Sequence, residues 1–261
     1  MRKSFPLLIL VLFSCGSDSG KLPQSSGANP IQSVPKNSKI YDKNSWQYFL
    51  QNLRVVDSPI LDYRGKPIAF QEKNAGVIPF DVGKADLQQC ADVLMRLRAE
   101  YLFKQERHNE IGFHFVSGHY YSWNDYCKGI RPVVSSKGIR FINTSASEKN
   151  HQSLRKYLDV VYSYASTISL AKELKTTTQF ETGTVVIYAG SPGHCFIIID
   201  EAINSQGERV FKLAEGYTPA QSIYVLRNLN EEGKNPWHKL NKGVIETASY
   251  RFTDYKLGKF E

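Results

Sequence analysis

Residues 183–226 read GTVVIYAGSPGHCFIIIDEAINSQGERVFKLAEGYTPAQSIYVL, and the architecture turns on this stretch. It holds four apolar, β-branched runs, at 183–188, 195–200, 210–214 and 222–226. Gly, Pro, Asn and Ser separate the runs, which is the pattern of adjacent antiparallel strands. Toward the N-terminus, two segments carry apolar residues three and four apart, the helical spacing. Residues 85–104 align Leu87, Cys90, Ala91, Leu94, Leu97 and Tyr101. Residues 153–174 align Leu154, Tyr157, Leu158, Val161, Tyr164 and Ile168. Shorter signals lie around them. Residues 45–53 read as a small helix capped by Ser45, 60–70 as a hairpin turn, and 77–82 and 111–116 as strands. Helices early and a meander of strands late predict an α+β domain, its helices packed on one face of an antiparallel sheet.

The N-terminus has a different character. Met1-Arg2-Lys3 precedes a short apolar run, Phe5 to Phe13, and then Ser14-Cys15-Gly16. A basic start followed by such a run is the layout of a secretory signal. The run is too short to span a bilayer, which takes about 20 apolar residues. Leu12-Phe13-Ser14-Cys15 resembles the bacterial lipobox, which makes residues 1–14 a lipoprotein signal peptide and Cys15 the lipidated residue. Acyl chains on that cysteine would anchor the protein to a membrane. Residues 15–38, rich in Ser, Gly, Pro, Asn and Gln, read as a flexible tether. Residues 39–261 have the length of a single domain. The expected location is the bacterial cell envelope, lipid-anchored, on the periplasmic or the outer surface.

Lys and Arg number 33 against 25 Asp and Glu, a formal net charge of +8, with the basic residues dispersed. This is a solvated surface suited to anionic polymers or lipid head groups and not a nucleic-acid site. Besides Cys15 there are three cysteines, Cys90, Cys127 and Cys195, none at zinc-ligand spacing. His114, His119 and Asp125 meet no familiar ligand spacing either, so neither metal nor cofactor is expected.

Seven strings stand out: Asp86-Leu87-Gln88-Gln89-Cys90-Ala91-Asp92, Arg96 through Leu102, Tyr157-Leu158, Tyr164-Ala165-Ser166-Thr167, Gly190-Ser191-Pro192-Gly193-His194, Tyr217-Thr218-Pro219-Ala220-Gln221 and Asn235-Pro236-Trp237. Together they resemble the bacterial lipoprotein family known as domain of unknown function 4846. A second resemblance carries chemistry. The order of a cysteine near a helix start, a Gly183-Thr184 strand and a Gly193-His194 strand is similar to the NlpC/P60 cysteine peptidases. It implies a papain-like core with an insertion around residues 112–178, and cleavage of peptide or cell-wall amide bonds. Thr184 stands where that pattern has Asp.

On this reading Cys90 is the nucleophile, its thiol acidified by the helix terminus, and His194 is its base. A turn at Ser205-Gln206 makes paired numbers in the following hairpin add to 411. His194 then faces Tyr217, with Glu215 diagonal to it on the same face, where a carboxylate would orient the imidazole. Tyr217 and Trp123, the latter in an aromatic loop with Tyr120 and Tyr121, are candidate ligand-binding residues. Each residue also has a plainer role open to it: Cys90 as core filler or disulfide partner, His194 as a strand-end histidine, Glu215 as a rim carboxylate. Two functions follow. One is an envelope cysteine hydrolase acting on peptidoglycan or peptide. The alternative is a non-catalytic lipoprotein that binds an envelope component or partner protein.

Overall fold

The computed structural model describes residues 37–261. The expected signal peptide, Cys15 and most of the expected tether lie outside the described residues. Asn37–Ser38, expected within the tether, form strand β1 and pair with the far end of β9 (His194–Ile203).

The remaining strands are β2 (Asn74–Ile78), β3 (Gly112–His114), β4 (Tyr120–Ser122), β5 (Ile130–Ser135), β6 (Gly138–Asn143), β7 (Lys175–Thr176), β8 (Val185–Tyr188), β10 (Arg209–Glu215), β11 (Ile223–Leu226), β12 (Trp237–His238), β13 (Ile245–Glu246), β14 (Arg251–Phe252) and β15 (Lys256–Lys259). The helices are α1 (Trp46–Gln51), α2 (Cys90–Lys104), α3 (Trp123–Cys127), α4 (His151–Tyr162) and α5 (Thr167–Glu173). Nine strands make one antiparallel sheet in the order β2-β11-β10-β9-β8-β15-β7, with β1 on β9 and β12 on β10.

This corrects the expected fold class. In place of an α+β, NlpC/P60-like (papain-like) core of helices on a sheet, the described residues form mostly antiparallel sheet with few, short helices. Three differences account for it. The helix expected over 85–104 begins only at Cys90. The one expected over 153–174 breaks after Tyr162, and Ser166, whose Oγ accepts from the Ile168 amide, starts a separate short helix. The region taken as an insertion holds two hairpins, β3–β4 and β5–β6, and the C-terminus returns as β15 between β8 and β7.

The sheet is buried on both sides, so its central strands show no alternation: β9 is buried from His194 to Ala202. One face, with Cys195, Ile197, Ala214 and Val225, packs against α2 residues such as Leu94 and Leu97. The other, with Phe196, Ile198, Leu213 and Tyr224, is covered by Ile245, Tyr250 and Phe252 from the C-terminal segment. Among the described residues no helix is long and apolar enough to cross a membrane.

Candidate active site

Cys90 is the first residue of α2. Two tight backbone turns precede it, Leu87 N to Ala85 O at 2.9 Å and Gln89 N to Leu87 O at 2.8 Å. The Asp92 carboxylate accepts the Gln89 amide at 3.0 Å and secures the helix start. Free first-turn amides and the helix dipole favour negative charge at that point, and the Ala91 amide adds to the lowering of the thiol pKa. The side chain is half-buried.

His194 opens β9 at the same end of the sheet. Cys90 Sγ lies 3.8 Å from the carbonyl of Gly193, the residue before it. Only glycine fits there. A Cβ on Gly193 would run into Thr167 Oγ1 and come within 2.7 Å of the carbonyls of both Gly190 and Tyr188. This close turn sets the imidazole beside the thiol, where each shifts the pKa of the other.

Glu215 ends β10, fully enclosed, with Oε2 2.9 Å from His194 Nε2. That contact occupies Nε2 and leaves Nδ1 as the ring nitrogen for sulfur. The register explains how the two meet. Paired numbers of β9 and β10 add to 412 from the turn to Lys212–Asp200. Ile199 then bulges out, and from Leu213–Ile198 onward they add to 411. The value at the site end is the one the hairpin arithmetic uses. It is reached through a longer turn plus a bulge, since Asn204 N bonds Glu208 O across five residues.

Electrostatics follow from this packing. The Cys90 pKa is held down to about 5, first by a hydrogen bond from the Cys195 thiol and then by the hydrogen bond and charge of His194. Burial works against both. For His194, burial favours the neutral ring, but hydrogen bonds to Cys90 and Glu215 outweigh it and raise the pKa to about 9. Both shifts favour the thiolate–imidazolium form of the pair.

Sequence reasoning missed much of the surroundings. Tyr224 and Ser249 both donate to Glu215 Oε1, fixing the carboxylate from behind. Tyr217 meets the His194 ring edge-on at 5.0 Å, Tyr250 lies against it at 4.9 Å and Phe252 stacks at 5.8 Å. Tyr224 was within reach of register arithmetic, being directly opposite Glu215 on β11. Ser249 and Tyr250 arrive from a later hairpin that no local signal ties to β10. Cys195 is fully buried on the face opposite His194, as strand alternation requires, yet its thiol is the first cause that lowers the Cys90 pKa.

The other candidates are placed as follows. Tyr217 is half-exposed beside His194. Trp123 has no exposed surface; its Nε1 donates to Ser153 Oγ at 3.3 Å and its ring packs against Phe103 and His108. It presents no face to a ligand. Cys127 lies apart, near Ser153, its pKa raised by burial. Cys90, Cys127 and Cys195 are all free thiols. His114 pairs with Glu173 at 2.7 Å and His119 with Ser117 at 3.0 Å. Among the described residues no three His, Cys, Asp or Glu side chains gather as for a metal. A cleft of about 1010 Å³, lined by Asn204, Asn228, Trp237 and Thr247, includes none of Cys90, His194 and Glu215. Reactive chemistry, not cavity size, marks the site.

No curated protein and no solved structure matches the chain. Residues 32–259 match one family, and by that match the chain belongs to the family described as Domain of unknown function (4846).

Proposed function

We propose that this protein is a cysteine hydrolase of peptide or amide bonds. The observation that carries the reading is the clustering of a sulfur on a helix N-terminus, 3.8 Å from the carbonyl just before His194, with an imidazole that Glu215 holds at 2.9 Å. The Cys90 thiolate attacks the carbonyl carbon, and the C–O π electrons move onto oxygen. When the tetrahedral species collapses, the C–N bond breaks and the His194 imidazolium gives its proton to the departing amine. The neutral imidazole then takes a proton from water, whose oxygen attacks the thioester carbon. The acid leaves and Cys90 returns as thiolate. Glu215 keeps the ring oriented and its cation stabilised throughout. The reading retains the reaction class of the NlpC/P60 peptidases without their core.

The test is thiol reactivity together with hydrolysis. Iodoacetamide near pH 7 is expected to modify Cys90 well ahead of Cys127 and Cys195. Cys90→Ser is expected to abolish hydrolysis of peptidoglycan fragments or of a peptide library while the free energy of unfolding stays within about 1 kcal/mol of wild type. Equal labelling of the three thiols, or a fully active Cys90→Ser, would refute the reading.

We further propose an envelope location, with lipid on Cys15, so that the bonds cleaved belong to the cell wall or to envelope peptides. Cys15→Ala should move the full-length chain from the membrane fraction to the soluble one. Retention in the membrane fraction would count against the anchor. No observation favours the non-catalytic alternative, whose proposed anchor Trp123 is enclosed.

A further inference from the structure

Lys73 immediately precedes β2 and is only 7 % exposed. Lysine is almost never this buried without a carboxylate partner. Among the described residues no acidic side chain bridges Lys73, and no acceptor hydrogen-bonds its Nζ. Nor is Nζ among the fully enclosed side-chain atoms that lack a partner, so it keeps an opening to solvent. Its close neighbours are aromatic. Nζ lies 4.4 Å from the Tyr217 ring centroid and 4.9 Å from that of Tyr224. These rings also hold the reactive groups: Tyr217 meets His194 at 5.0 Å, and Tyr224 donates to Glu215. The distances of 4.4 Å and 5.0 Å laid end to end put Nζ within 9.4 Å of the imidazole centroid. An ammonium is thus parked beside the reacting groups, held by two π faces, with its hydrogen-bond donors unclaimed.

We propose that Lys73 receives a carboxylate of the substrate, so that the hydrolase prefers peptides or amides bearing a free acid a few bonds from the scissile carbonyl. The proposal rests on Cys90 being the nucleophile. Glu215 makes no hydrogen bond to Lys73: its Oε2 meets His194 and its Oε1 meets Tyr224 and Ser249. Burial, which lowers the Lys73 pKa, and the field of Glu215, which raises it, act in opposition. A carboxylate arriving from solvent would add to the second effect and supply the missing acceptor.

Alkylation of Cys90 tests this without knowledge of the natural substrate. Three probes are compared: N-iodoacetylglycine, N-iodoacetylglycinamide and N-iodoacetylaspartic acid α-amide. The first offers a chain-terminal acid, the second none and the third a side-chain acid. Wild-type protein is expected to react at least tenfold faster with one acid probe than with the neutral one, and the faster acid identifies the source of the carboxylate. Lys73→Met should lose most of that ratio while still reacting with the amide, and Lys73→Arg should keep it. Equal rates in wild type, or an unchanged ratio in Lys73→Met, would overturn the proposal, and the wild-type ratio needs no variant to fold. Failure of the hydrolase reading looks different. A Cys90 that selects acids but cleaves no amide leaves the carboxylate site standing, whereas a Cys90 inert to every probe removes both.

Discussion

At the scale of single residues, the two pKa values set the pH behaviour. The reactive form of Cys90 is deprotonated, so nucleophile accumulates as pH rises through about 5. The form of His194 that protonates the leaving amine is the cation, which is lost as pH rises through about 9. Hydrolysis should therefore trace a bell between these values. Alkylation, which needs no proton donor, should rise through the lower one and then hold level. Glu215→Gln removes a carboxylate that raises the His194 pKa, so the alkaline limb should move to lower pH. The same change should cut kcat/KM on the order of 10²-fold or more, because the ring loses its orienting charge. An alkaline limb that stays in place would show that Glu215 does not set the state of the ring. The pairing of His194 with Glu215 came out of the sequence because period-two alternation links them and because a bulge at Ile199, which spacing does not record, offsets a turn longer than Ser205-Gln206. Lys73, Ser249 and Tyr250 did not. They reach the site from separate segments, and nothing in local spacing records a neighbour many residues away.

At the scale of elements, the close fit of α2 onto the end of β10 holds nucleophile and base in register. Gly216, just past β10, faces the first turn of α2. A Cβ added there would drive into Val93 Cγ2 and stand 3.4 Å from the Gln89 carbonyl. Gly216→Ala should force that turn outward, at a cost of about 1–3 kcal/mol for overpacking. The sulfur would shift relative to the imidazole, so the rate of Cys90 alkylation should fall by more than the loss of folded protein explains. Unchanged alkylation in a destabilised variant would mean that the contact is structural only. Individual strands were readable here, since β8 to β11 are β-branched runs bounded by turn residues. The start of α2 was not. Residues 85–89 continue the apolar spacing, and only the tight turns at Leu87 and Gln89 with the Asp92 cap set the first helical residue at Cys90. That offset matters chemically, because the acidifying influence of a helix end fades within a turn.

At the scale of the whole molecule, strand dominates because contributions come from everywhere along the chain. β2 joins from before α2, β15 from the C-terminus, and two hairpins fill the stretch between nucleophile and base. A reading by periodicity sees each segment alone. It expected three helices and a meander but could not see that the C-terminal strand completes the sheet between β8 and β7. The thiol and the imidazole belong to different layers: one rides on a helix, the other on a strand, and side-chain packing sets the gap between them. Chemistry is then more fragile than shape, since a slackening of a fraction of an ångström between the layers would part sulfur from ring while every strand stays paired. On slow heating, turnover should accordingly fail several degrees before the far-ultraviolet circular dichroism signal collapses, and recover on cooling from that window. Simultaneous loss of the two would mean that the layers part only when the sheet itself melts.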